Sequence, residues 1–139
     1  MQPVVRVAES REREAARVLG AAEQEVVAHR TRLQELQEYR VEYRNQLVSV
    51  GNGGIAAQRY VEYHRFLARL DLAIEHQERL LEMTVRQREE KRALWAEARA
   101  KMKAVEKVVE RFVTEEEAER LRREQKETDE RAQRHALRY

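Results

Sequence analysis

Ser49-Val50-Gly51-Asn52-Gly53-Gly54 is the one stretch of the chain that reads as a reversal. Three glycines and an asparagine in four consecutive positions supply the positive-φ residues that a tight turn demands. Everything on either side is compatible with helix. The single proline, Pro3, suits the first turn of a helix. Gly20 stands alone among good helix formers, where it costs about 1 kcal/mol and is tolerated.

Working upstream from the turn in alternating steps of three and four, the chain places Val50, Leu47, Tyr43, Leu36, Leu33, Val26, Ala22, Leu19, Ala15, Ala8 and Val5 on one stripe. Arg40, His29 and Glu12 interrupt it. The same stepping downstream gives Ala56, Tyr60, Tyr63, Leu67, Leu70, Ile74, Leu81, Trp95, Ala98, Met102, Val105, Val109 and Phe112. Gln77, Thr84, Arg88 and Lys91 interrupt that series. A 3-4 spacing sustained this long is the seam of a coiled coil. A short glycine-rich turn makes the two helices antiparallel neighbours. The expected fold is all-α: a long two-helix antiparallel coiled-coil hairpin forming a single domain over 1–139. Helix 1 spans about 4–50, the turn 51–54, and helix 2 about 55–137.

Two registers suit the turn, one heptad apart. The first faces Leu36 with Leu67, Leu33 with Leu70, Glu12 with Lys91 and Ala8 with Trp95. The second faces Ala15 with Trp95. Both set the large indole against a small alanine, as close packing requires. The first keeps the loop shorter and is preferred. His29 lies on the seam, where a polar residue can set register. The four polar interruptions of helix 2 leave an intact but wet seam, or else mark a bend or a partner contact. Long Lys and Arg stems can cover apolar surface while their charges reach water.

The helix lengths are unequal. Helix 1 runs out opposite the end of the second helix's first ~50 residues, which leaves an unpaired C-terminal helical extension of about 30 residues. Val105, Val109 and Phe112 continue the seam at its base. Beyond them the same stepping meets Glu116, Glu119, Arg123, Lys126, Glu130 and Gln133. Such an extension either frays or completes itself against another protein.

Composition excludes several classes. Charged residues are 39% of the 139 positions and aromatics 6%, too few large apolar groups to fill a thick globular core. No cysteine is present, which removes disulfide frameworks and the usual zinc motifs. No apolar run approaches the roughly 18 residues of a membrane span. The N-terminus is charged within its first ten residues and has no secretory core, so a soluble cytoplasmic protein without direct membrane insertion is expected.

No catalytic constellation is visible, and neither a cofactor nor a metal is expected. The glycine turn is followed by Ile55-Ala56-Ala57, without the lysine that a phosphate-binding loop needs. Ser10 and Ser49 are the only serines, and no base is placed beside either. His29, His64, His76 and His135 include no pair three or four apart, so no helix face offers two imidazoles to a metal. The pI near 9.0 raises the question of nucleic acid. Yet the basic residues at 120–138 alternate with Glu124, Glu127, Asp129 and Glu130, unlike a one-sided phosphate-tracking helix. No nucleic-acid partner is expected.

Three segments taken in order have a family likeness. They are LQEYRVEYR at 36–44, GNGGIAAQRYVEYHRFLARLDLAIEHQ at 51–77, and RREQKETDERAQRHALR at 122–138. Within them the Gln125-Lys126…Asp129-Glu130…Ala132 pattern is the most specific, followed by the Tyr63…Gln77 pattern. The ordered set resembles the FliJ family of the flagellar type III export apparatus, over the whole chain.

That resemblance implies a non-enzymatic, central-stalk-like coiled coil, cytoplasmic and peripheral at the cytoplasmic face of the membrane. It implies three partners: the hexameric flagellar export ATPase, whose assembly and activity it promotes, the transmembrane export-gate protein, and export chaperones. The gate stripe carries onto Phe66, Leu70, Ala73 and Gln77; family members can have His at the last of these. The ring contacts carry onto Val105, Val109, Phe112, Arg123, Gln125, Lys126, Asp129 and Glu130. Phe66 and Ala73 flank the seam, where a large aromatic of a two-helix coil either makes a flanking contact with helix 1 or has little to bury against. The stalk of a virulence secretion system, or a plain structural or dimerising coil with weak self-association through Val105, Val109 and Phe112, are the alternatives.

Overall fold

The computed structural model describes residues 2–52 and 57–138, with side chains described outside 50–52. Two helices account for them: α1 (Gln2–Asn52) and α2 (Ala57–Leu137). The described residues contain no strand. Gly53 and Gly54 of the expected turn lie outside the described residues, while Gly51 and Asn52 close α1. Glycine and asparagine are the residues most often found where a helix ends. α2 runs as one helix through Gln77, Thr84, Arg88 and Lys91.

Packing divides the chain into two compact units, Ala15–Trp95 and Met1–Glu14 with Ala96–Tyr139. In the first, α1 and α2 pack against one another as an antiparallel hairpin. Its buried residues are Val26 and Leu47 from α1, with Leu67, Leu70, Ile74, Gln77 and Thr84 from α2. Every one belongs to the seam read from the sequence. Val26, only 1% exposed, is the most deeply enclosed. A single seam between two helices can close over little more than one side chain per layer. Each buried Val, Leu or Ile then contributes about 1.5–3 kcal/mol.

The two buried polar side chains are satisfied rather than wet. Gln77 Nε2 donates to the His29 backbone carbonyl at 3.1 Å and meets His29 Nδ1 at 2.9 Å. The Thr84 hydroxyl donates to the Leu81 carbonyl at 2.9 Å. The contacts between helices also correct the preferred register. Its continuation would set Tyr43 against Tyr60 and His29 against Ile74. Instead Tyr43 lies between Tyr63 and Phe66, His29 meets Gln77, and Arg40 reaches Asp71. These pairings are displaced towards the later alternative, because partners off the seam, invisible to the 3-4 stepping, help to set the stagger.

Gly20 sits inside α1 with a clear space beside it: an added Cβ would meet nothing within 4 Å. Gly20→Ala is therefore expected to stabilise the chain by about 1 kcal/mol, the helix-propensity difference without a steric cost. Thermal unfolding followed by circular dichroism reads it, and a lower melting temperature in the variant would contradict this account of the site.

In the second unit, Val5, Ala8 and Glu12 of α1 and Ala98, Met102, Val105 and Val109 of α2 are half-buried, again at seam positions. Phe112 is 46% exposed. From 119 to 138 every described residue is exposed. This part of α2 is held by local pairs: Arg123 with Glu119 at 2.8 Å, Arg120 with Glu124 at 4.0 Å, and Gln125 with Asp129 at 3.2 Å. Such i,i+4 pairs support a solvated helix by a few tenths of a kcal/mol each. Arg134 and His135 in the last turn suit the negative end of the helix dipole.

Candidate partner-binding site

The side chains around Phe66 come from both helices of the hairpin. Tyr39 and Tyr43 stand four apart on α1, one turn above the other. Tyr63 and Phe66 stand three apart on α2. Across the interface the Phe66 ring meets Tyr43 with centroids 4.5 Å apart and Tyr39 edge-on at 6.0 Å. Tyr43 also meets Tyr63 at 5.1 Å. Of the two expectations for an aromatic beside the seam, the flanking contact with helix 1 is the one the structure has, since Phe66 is half-buried in a four-ring cluster. Such tilted and edge-on pairs add about 0.5–1.5 kcal/mol each beyond area burial. Desolvation in this cluster, followed by the neighbouring Tyr63 and Tyr39, pushes the Tyr43 hydroxyl above its ordinary pKa.

Next to the cluster, Arg40 and Asp71 form a two-point ion pair between helices. Arg40 Nε donates to Asp71 Oδ1, and Nη2 approaches Oδ2 at 3.4 Å. Arg40 occupies a seam position that the sequence marked as an interruption. Its stem crosses the interface and its head finds a carboxylate at the edge. The hydrogen bond from Arg40, aided by its charge and opposed by desolvation, holds the Asp71 carboxyl below the usual carboxylate range. Folding therefore favours the ionised form. The pair stabilises the hairpin above the ordinary Asp pKa of about 4, and that contribution is lost as pH falls through the lower folded value. Asp71→Asn is expected to lower the melting temperature at neutral pH and to converge on the wild type in strong acid. A constant gap between the two at every pH would contradict this.

The four residues expected to form a gate stripe are not equally presented. Leu70 is 6% exposed and Gln77 7%, and both are closed into the hairpin. Gln77 spends its amide on His29. Ala73 is exposed and Phe66 is half-buried, so these two form the accessible part. The 4-3-4 spacing brings all four near one side of α2, but the partner helix covers alternate members. Of the tail residues, Val105 and Val109 are half-buried, and Phe112, Arg123, Gln125, Lys126, Asp129 and Glu130 are exposed. Arg123 is paired with Glu119, which raises the guanidinium pKa and lowers that of the Glu119 carboxyl, in both cases chiefly through their hydrogen bond.

Among the described residues there is no group of three or more His, Cys, Asp or Glu arranged to hold a metal. No helix among them is long and apolar enough to cross a membrane. What the surface offers is a seam-flanking aromatic patch on the hairpin and a charged, exposed helix end.

The sequence was compared with known proteins against this geometry. A family model described as the flagellar FliJ protein matches residues 1–139. The chain belongs to the FliJ family. It is 31% identical over 132 residues to the flagellar FliJ protein of Escherichia coli (strain K12), covering 95% of this chain and 90% of that one. No solved structure matches. As a FliJ-family protein it is a component of flagellar export, which resolves the choice against a virulence system or a generic coil. The Arg40–Asp71 pair, and which rings of α1 Phe66 meets in its flanking contact, escaped the sequence reading. The i,i+4 tyrosines were visible there, but nothing in one helix says which ring of the other they meet.

Proposed function

We propose that this FliJ-family protein acts without enzymatic activity of its own, as a stalk-like coiled coil of the flagellar export apparatus. It binds the hexameric export ATPase through the C-terminal part of α2, from half-buried Val105 to exposed Glu130. It promotes assembly and activity of the ring. Through the Phe66 and Ala73 patch, held in place by Leu70 and Gln77, it binds the transmembrane export gate, and it hands over chaperones there. Its place is cytoplasmic, peripheral at the membrane face.

Family membership over the whole length carries this reading. The end of α2 from 119 to 137 agrees with it, being exposed throughout and bearing both charge signs. A coiled coil with no nucleotide chemistry accelerates an ATPase by binding one ring conformation better than the others, which shifts the population towards it. It promotes assembly by the same mass action, since a ligand of the ring stabilises the ring.

The test is the ATPase rate of the cognate export ATPase, with and without this protein, across protein concentration. The expected result is a saturable rise, greatest where the ATPase is too dilute to form rings alone. No change at any concentration would remove the stalk reading and leave a role at the gate or with chaperones.

A further inference from the structure

Between residues 114 and 132, α2 contains only six uncharged residues: Thr114, Ala118, Leu121, Gln125, Thr128 and Ala132. The other thirteen are all Asp, Glu, Lys or Arg. The six are spaced 4-3-4-3-4, and α2 is uninterrupted across them, so they form one continuous stripe. It is not a continuation of the Val105, Val109 and Phe112 seam. At 100° per residue it lies on nearly the opposite side of the helix. Extending the first seam by fixed steps had therefore led onto the charged face of Glu116, Glu119 and Arg123. Leu121, the largest member of the stripe, is 59% exposed, and of the six only Ala118 is half-buried, the others being exposed.

The charges beside the stripe say what covers it. In an antiparallel coiled coil each flanking column faces its own counterpart. Consider two copies of the chain with Leu121 against Ala132 of the second copy and Gln125 against its Thr128. The flanking residues then meet as Glu124 with Arg131, Arg122 with Asp129, and Glu117 with Arg138. Two-fold symmetry repeats each pair, and all are of opposite sign. The large Leu121 faces the small Ala132, and an amide faces a hydroxyl. Sliding one heptad in one direction sets Glu115 against Asp129 and Arg122 against itself. Sliding in the other sets Arg131 and Asp129 each against themselves. A parallel arrangement sets Glu124 against Asp129. We propose that residues 117–138 of two copies pair antiparallel in this one register, forming a weak, salt-sensitive dimer of the protein.

Exposed ion pairs are individually weak, and the seam is short of large apolar groups. The dimer is accordingly a reversible reservoir form. It covers Gln125 and Asp129, which lie in the surface proposed for the ATPase ring, so it competes with that use. The pairing itself needs no other protein, so it stands or falls apart from any ATPase measurement.

Sedimentation of the purified full chain tests it. In roughly 50 mM salt, where the screening length exceeds 10 Å, the mass should rise with concentration from 16.6 kDa towards twice that value, and the rise should shrink at high salt. Glu124→Arg and Arg131→Glu should each weaken self-association at least about tenfold, since each sets like charges together twice. Mixed together, the two variants should associate with one another, because both interfacial pairs are then again of opposite sign. The chain has no cysteine, which permits a direct check of register. Leu121→Cys mixed with Ala132→Cys should form an intermolecular disulfide, and neither alone should. A chain monomeric at every concentration in low salt would overturn the proposal. So would variants that stay monomeric when mixed, or a disulfide formed by Leu121→Cys alone.

Discussion

Removing residues 113–139 should abolish stimulation of the export ATPase while leaving the hairpin folded. The buried residues among those described, from Val26 to Thr84, lie in the Ala15–Trp95 unit, far along the chain from the cut. Among the described residues the deletion takes away no buried side chain, and from 119 to 138 only exposed ones. Stability of the hairpin is set by the seam between its helices, and mutations remote from buried features change it by less than about 0.5 kcal/mol. The proposed ring contacts Arg123, Gln125, Lys126, Asp129 and Glu130 all go with the deleted segment. Circular dichroism should show helicity falling only by the residues removed, with a melting transition close to that of the full chain. An ATPase titration should show a flat response. If the shortened chain melts far below the parent, the tail belongs to the folding core. If it still stimulates, the ring contacts lie elsewhere.

The second large effect separates support from contact within the gate stripe. Leu70→Ala should cost about 2–5 kcal/mol, the range for deleting a buried leucine and leaving a cavity. Ala73→Glu, at an exposed position, should change stability by less than about 0.5 kcal/mol. If the stripe binds the export gate, Ala73→Glu should nevertheless abolish binding, because it sets a charge in the contact without disturbing the hairpin. Leu70→Ala should weaken binding only as far as it loosens the mounting of Phe66. Denaturant unfolding and gate-binding isotherms measured on the same preparations decide it. Full gate affinity in Ala73→Glu would move the gate surface off this face. A negligible stability change in Leu70→Ala would mean that the core is not where burial places it.

The seam is legible in the sequence at every described position that the structure buries. Val26, Leu47, Leu67, Leu70, Ile74, Gln77 and Thr84 all fall on the 3-4 stepping. Helical periodicity is local, and a residue's face follows from its number once the helix is continuous. The single glycine-rich break, the long second helix and the exposed charged end come from the same local rules, as does the family likeness carried by the ordered motifs. Past Phe112 the stepping meets charged residues, and the structure leaves them exposed. What the stepping passed over is the uncharged stripe from Thr114 to Ala132, which lies on the other side of the helix.

The sequence by itself determined that this is a two-helix coil, which residues line its seam, and which end of α2 is left charged. Only the tertiary structure decided which residue of one helix meets which of the other. A heptad seam looks much the same after a slide of seven residues, so periodicity alone leaves the stagger degenerate. The side chains off and across the seam break that degeneracy. Arg40 reaches Asp71, Gln77 satisfies His29, and Phe66 closes on Tyr39 and Tyr43. These contacts bury half of the aromatic and close Leu70 and Gln77 inside, because each depends on distances between helices that no single helix encodes.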